Sequence, residues 1–240
     1  MSKTRKRYLW RLAARIFILF ACAALLYFQP EEFSVLEGMN FFHRFSPLHL
    51  LWAVWVCDMI LQIIPIKNKV PLGSQKLFVN RFRPIRERIN HEALRSYVIS
   101  TTKAAYKVFI LWCALILMLG VLFYTGVLSR AGLFMISVFF YVCDLICVLI
   151  WCPFRLMMHT RCCTTCRIFN WDHLMMFAHL IFIPGFFTRS LALFAAAVWV
   201  IWEGSVRLHP ERFWAGSNAA LTCASCTDKL CTQYCQKLRK

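Results

Sequence analysis

The chain has 240 residues, 60% of them hydrophobic and 16% charged, with 22 Phe, 9 Trp, 13 Cys and a net charge of +17. That balance excludes an ordinary soluble domain. The excess of bases is what the cytoplasmic loops of a membrane protein collect, so nucleic acid is not expected as a partner.

The N-terminal flank "MSKTRKRYLWRLAAR" runs into an apolar stretch that ends near Phe28 and meets "QPEE". No small-residue cleavage site intervenes, which favours a retained first transmembrane helix over a removed signal peptide. A second span runs from about Pro47 to Ile66 and completes a first unit, residues 1–66. Apolar runs of roughly 17 to 21 residues are long enough to cross a hydrocarbon core of about 30 Å as helices.

Residues 67–107 form a basic amphipathic loop. Its "KLFVNRFRPIRERINHEALRSYV" mixes Arg with Leu, Phe and Ile, as an interfacial helix does when its cations face anionic headgroups and its apolar face sinks. A basic surface for docking a cytosolic partner is the alternative. Spans three (about Lys107 to Val127) and four (about Gly132 to Trp151) follow within 108–152, and a cysteine-rich loop occupies 153–172.

The region 173–203 holds about 30 apolar residues interrupted by "PGFFTRS". A single helix of that length would rise about 45 Å, too long for one crossing, and Pro-Gly is a turn signal. A hairpin of two short spans, five and six, is expected, with a re-entrant pair as the alternative. A cysteine-rich tail, 204–240, ends the chain.

The expected fold is therefore an all-α polytopic membrane protein with six transmembrane helices. With the N-terminus inside, only Arg44, Arg130 and Arg189 of the 28 Lys and Arg lie outside, near Glu31, Glu32 and Glu37. This asymmetry puts both termini, the loop and the tail in the cytosol and the protein in the cell inner (plasma) membrane. Trp10, Trp151, Trp171 and Trp202 fall near the inner boundary, where aromatic belts are expected.

On this topology the cysteines divide. Cys22, Cys57, Cys113, Cys143 and Cys147 lie within spans, where packing is a thiol's ordinary role. The other eight gather at the inner face: Cys152, Cys162, Cys163 and Cys166 before the last hairpin, and Cys223, Cys226, Cys231 and Cys235 after it. A reducing cytosol opposes persistent disulfides. Each group contains a CxxC, Cys163 with Cys166 and Cys223 with Cys226, and two such pairs supply a tetrahedral sulfur cage once the hairpin brings loop and tail together. The cofactor expected is Zn or an iron-sulfur cluster. His159, His173 and His209 are possible substitute ligands.

Inside the membrane, "WVCDMILQIIP" in span two is echoed by "YVCDLICVLIWCP" in span four. Asp58 and Asp144 each sit about eight residues, or about 12 Å by helical rise, from the inner end. An acid there costs on the order of 2.5 to 3.5 kcal/mol and ordinarily has a partner. His179 on span five lies at a similar depth, so the three are expected to form a polar cluster that handles protons. Helix-to-helix hydrogen bonding is the plainer role.

No P-loop, strand-linked GxGxxG, HExxH or GxSxG is present, so the familiar nucleotide, zinc-protease and hydrolase signatures are absent. The resulting expectation is an electron relay between a cytosolic redox donor and a membrane partner such as a quinone. The alternatives are a zinc-stapled scaffold that docks a partner and a cation or metal transporter.

Overall fold

The structure, a computed structural model, describes residues 3–64, 76–85, 89–160 and 162–225. The α-helices among them are α1 (Lys3–Phe28), α2 (Asn40–His43), α3 (Leu48–Ile63), α4 (His91–Tyr124), α5 (Arg130–Leu149), α6 (Phe154–Met158), α7 (Asp172–Phe177) and α8 (Phe186–Leu208). Four of these, α1, α4, α5 and α8, are long and apolar enough to cross a membrane. Their outward faces suit lipid: Phe17, Phe20, Ile110, Leu117, Val121 and Leu193 are all largely exposed, and apolar surface on that scale is not tolerated in water.

The helix limits follow from local chemistry. Asn90 caps α4 by accepting from the Ala93 N–H at 3.0 Å, and Ser129 caps α5 by accepting from the Gly132 N–H at 3.0 Å. Such caps satisfy amides that the first helical turn leaves unpaired. Between α4 and α5 the chain reverses through Gly126, whose φ of 78° is in the left-handed region open to glycine.

The bundle has two chemically different ends. At the acidic end, α1 leads into a 3-10 turn, Pro30–Leu36, which buries Phe33, Val35 and Leu36. Beyond it, Gly38 donates to Pro184 O at 2.8 Å and accepts from the Phe186 N–H at 2.9 Å. This pairing brings Gly185 so close to the Leu36 carbonyl that any Cβ would collide with it, so glycine is required there. At the basic end, the segments around 76–85, 150–171 and 209–225 gather beside the first half of α4.

Two of the expected spans are shorter than a membrane crossing. Helix α3 has 16 residues and rises about 24 Å, against a core of about 30 Å. The expected fifth span is not one helix: α7 gives way to a 3-10 stretch, Ala178–Phe182, and the two together rise less than about 20 Å. Irregular backbone at membrane depth is stable only where protein surrounds it. Here Phe177, Leu180 and Ile183 are fully buried, and the Ile183 carbonyl accepts from Thr188 Oγ1 at 2.9 Å.

One core fills the middle of the bundle, where the Trp55 ring touches Phe134, Tyr141 and Phe177, and Phe134 in turn touches Phe187. A second lies at the basic end and joins Cys166, Ile168 and Trp171 of the loop to Trp202, Val206 and Phe213 of α8 and the tail. The loop therefore packs against the end of α8 and, through Phe213, the start of the tail.

Of the basic loop expected over 67–107, residues 91–107 form the first turns of α4, whereas 76–85 are not a regular α-helix. Residues 76–85 contain only a 3-10 turn, Val79–Arg81, before α4 begins at His91. The segment is tied to the tail instead: the Arg83 N–H donates to Asn218 Oδ1 at 3.2 Å, and Arg212 donates to Leu77 O at 3.2 Å. Lys76 points inward and is 1% exposed.

Candidate functional site

A stripe on one face of α5 sets the site. Phe140, Cys143, Asp144, Cys147 and Val148 recur at spacings of three and four, which places them together along the helix. Opposite them stand Trp112 of α4, Cys152, Phe154 and Arg155 just after α5, Cys163, Cys166 and Phe169 of the loop, and Asp172 at the start of α7. These groups line a half-open cavity of about 240 Å³ with almost wholly apolar walls. Five cysteines line it. Two of them, Cys143 and Cys147, lie within α5, where packing is the role expected from sequence.

The thiols differ in chemistry. The Cys147 thiol donates to the Cys152 sulfur, and this bond, with the Phe154 and Arg155 amides and the Arg155 charge, holds Cys152 down at about 7 despite its burial. Burial pushes Cys163 up to about 12 and raises Cys166 as well. Of these three, Cys152 is thus the thiol that favours the thiolate, the reactive form. Its hydrogen-bonded neighbour, Cys147, lies five residues earlier, in the last turn of α5.

The loop that carries Cys163 and Cys166 is anchored by ionic contacts. Arg167 donates through both terminal nitrogens to the two oxygens of Glu203 on α8, each at 2.6 Å, and Trp171 Nε1 donates to the same carboxylate at 2.9 Å. Trp202 Nε1 donates to Arg167 O at 3.0 Å. Lys76 Nζ donates to Cys166 O at 3.2 Å and lies over the Trp202 ring. Burial pushes the Lys76 ammonium down to about 8, against the opposing pull of the Cys166 and Cys162 thiols.

A polar network drawn from α1, α3, α5 and α7 lies beside the cavity. Arg15 of α1 reaches Asp144 at 2.7 Å and Tyr141 O at 2.6 Å, and its guanidinium lies 3.8 Å over the Tyr141 ring. Gln62 donates to Asp172 at 3.1 Å, and His173 Nδ1 lies 3.3 Å from the same carboxylate. Asp58 is an electrostatic neighbour of Arg15 and His173. His179 does not join it, because its Nε2 faces Ser137 Oγ at 2.9 Å and Leu133 O at 3.2 Å, about two helical turns along α5 from Asp144. The expected group of Asp58, Asp144 and His179 is replaced by Arg15, Asp58, Asp144, Asp172 and His173.

The remaining predicted ligands are dispersed. Cys162 is half-buried in the loop without lining the cavity, and Cys223 is exposed on the tail. Cys226, Cys231 and Cys235 lie outside the described residues. Among the described residues no three His, Cys, Asp or Glu side chains converge as metal ligands. His159 is exposed, His209 sits 3.4 Å from Glu211, and His173 is engaged with Asp172.

Sequence reasoning passed over several groups that the structure brings into play. Arg15 reads as the last base of an N-terminal flank, although its place inside an apolar run was a signal for a buried acid partner. Glu203 is an acid within another apolar run, and Arg167 answers it. The i, i+4 pair of Cys143 and Cys147, beside Asp144 and shortly before Cys152, was the available sign of a thiol-lined face. The sequence matches no family model, no curated protein and no solved structure.

Proposed function

We propose that this chain is a thiol-based electron relay of a cell inner membrane, with the cysteine-rich loop and tail on the cytosolic side. In this reading a cytosolic dithiol donor reduces a Cys147–Cys152 disulfide. A donor thiolate attacks one sulfur to form a mixed disulfide, and the donor's second thiol displaces it. The donor leaves as a disulfide, and the protein holds two thiols whose electron pair passes to a two-electron acceptor dissolved in the bilayer. The observation that carries the reading is the half-open apolar cavity at the end of α5, on whose wall Cys147 and Cys152 are hydrogen-bonded.

The membrane setting rests on the four long apolar helices and their exposed apolar faces, and the orientation on the concentration of Lys and Arg at the basic end. With that orientation the chain passes the bilayer six times, counting α3 and the broken α7 segment as short passages inside the bundle. The remaining surface bases of the loops then face anionic headgroups.

The pairing is tested by brief diamide oxidation of the membrane-embedded protein, followed by acid quenching and differential alkylation read by mass spectrometry. The Cys147–Cys152 disulfide is expected first, reversible by dithiothreitol. Oxidation of other cysteines while these two stay reduced would count against the relay.

A second reading is favoured by the shared core of loop and tail. Cys163 and Cys166 with Cys223 and Cys226 would then hold zinc as a staple, or an iron-sulfur cluster as the electron carrier. Anaerobic purification and metal analysis address it. Stoichiometric zinc, lost in Cys223→Ser with Cys226→Ser, supports the staple; iron with acid-labile sulfide supports the cluster; metal-free protein leaves only the dithiol.

A further inference from the structure

We propose that the cavity beside Cys147 and Cys152 is a quinone site, in which a membrane quinone is the acceptor for the dithiol. This rests on the relay reading above and names its acceptor. Size is the first argument. An apolar cavity of about 150 Å³ is enough to hold benzene, so the 240 Å³ here has room for a substituted quinoid ring, with its isoprenoid tail left to the bilayer. The walls are the second. Trp112 and Phe140 meet with ring centroids 5.2 Å apart on the α4 and α5 sides of the cavity, offering aromatic faces to a flat ring.

Polar groups supply the third argument. The Trp112 indole N–H is buried and has no acceptor among the described residues, and a buried donor without a partner is costly. A quinone carbonyl oxygen is the acceptor it lacks. Asp172 also lines the cavity, with its Oδ1 3.3 Å from His173 Nδ1 and its Oδ2 accepting from Gln62 at 3.1 Å. Since His173 stands directly behind it, Asp172 is placed to pass a proton.

The chemistry balances. The Cys152 thiolate gives its electron pair to the ring, and the Cys147 sulfur then attacks the Cys152 sulfur. The S–S bond forms as the sulfur–ring bond breaks, and the ring leaves as a quinol. Two electrons and two protons leave the thiols, and the same number arrive on the quinone oxygens. The Cys152 proton travels through Asp172 and the Cys147 proton passes to the departing ring. A lipid acyl chain would fill the same space without accepting electrons.

The test uses the reduced full-length protein in lipid nanodiscs with decylubiquinone, whose ring has no free position for irreversible thiol addition. Quinol formation is followed optically, and Cys147–Cys152 closure by mass spectrometry. One quinol per disulfide is expected, and Trp112→Phe should raise the quinone concentration for half-maximal rate roughly two- to tenfold, the range for one lost hydrogen bond. If diamide closes the pair and decylubiquinone does not, the quinone assignment is overturned while the relay reading stands. If neither oxidant closes it, both fall. An unchanged half-maximal concentration in a folded Trp112→Phe protein would also overturn this placement of the ring.

Discussion

Arg15 of α1 and Asp144 of α5 meet at 2.7 Å, with side chains only 14% and 21% exposed. The ion pair ties the first helix to the helix that carries the cavity. It also explains how an acid that costs several kcal/mol alone is accommodated inside a span. Asp144 lines the cavity on one side and is held by α1 on the other, so the position of α1 and the shape of the site are coupled.

Breaking that pair from one side should be more harmful than removing it whole. Asp144→Leu leaves a guanidinium buried without its partner and is expected to cost about 3 to 5 kcal/mol. Arg15→Met combined with Asp144→Leu should recover most of the loss. Unfolding by SDS titration from mixed micelles reads both variants. A double variant no more stable than the single one would mean that the two residues are not coupled.

Much of this fold could be read from the sequence because length and hydropathy report directly on membrane helices. Long apolar helices lie where spans one, three, four and six were expected, although α4 begins at His91, well before Lys107, and α8 is longer than the short span foreseen. The segment after Asp172 escaped because its apolar residues carry no information on whether lipid or protein surrounds them. Leu180 and Ile183 are buried by neighbours, which frees the chain from crossing as one helix. The site was half legible. Cys152, Cys163, Cys166 and Asp144 were singled out and meet at one cavity. Cys143 and Cys147 were set aside as packing thiols because a thiol in an apolar run carries no mark of what it faces. His179 could be given a depth from its position but not a direction, and it turns to Ser137.

Thiol reactivity should follow pH differently at two cysteines. Cys152, held at about 7, gains thiolate as pH rises, so its alkylation rate should climb roughly tenfold between about pH 5 and 6 and level off above about pH 8. Cys163, pushed up to about 12, should keep accelerating throughout that range. Alkylation time courses resolved by peptide mass spectrometry distinguish them; a Cys152 rate still climbing beyond pH 9 would contradict the assigned environment.

Lys76 makes stability depend on pH. Its ammonium falls from 10.5 to about 8 on folding, so between those values the unfolded chain binds more protons and stability rises with pH. Below about pH 8 the full penalty remains, on the order of 3 kcal/mol. Lys76→Met removes the penalty and gives up the bond to Cys166 O, so the variant is expected to be about 2 kcal/mol more stable at pH 7. Its advantage should shrink toward pH 10. Thermal unfolding in detergent at several pH values measures this, and a difference that did not vary with pH would show that Lys76 keeps one charge state throughout.

The central claim is that Cys147 and Cys152 act as one two-electron couple. Equilibrating the membrane-embedded protein across a series of dithiothreitol redox buffers, then trapping and counting free thiols at each cysteine, tests it most directly. The account predicts that these two positions titrate together with the slope of a two-electron transfer, and that Cys147→Ser abolishes the transition at Cys152. Independent titration of the two thiols, or no transition at either, would contradict it.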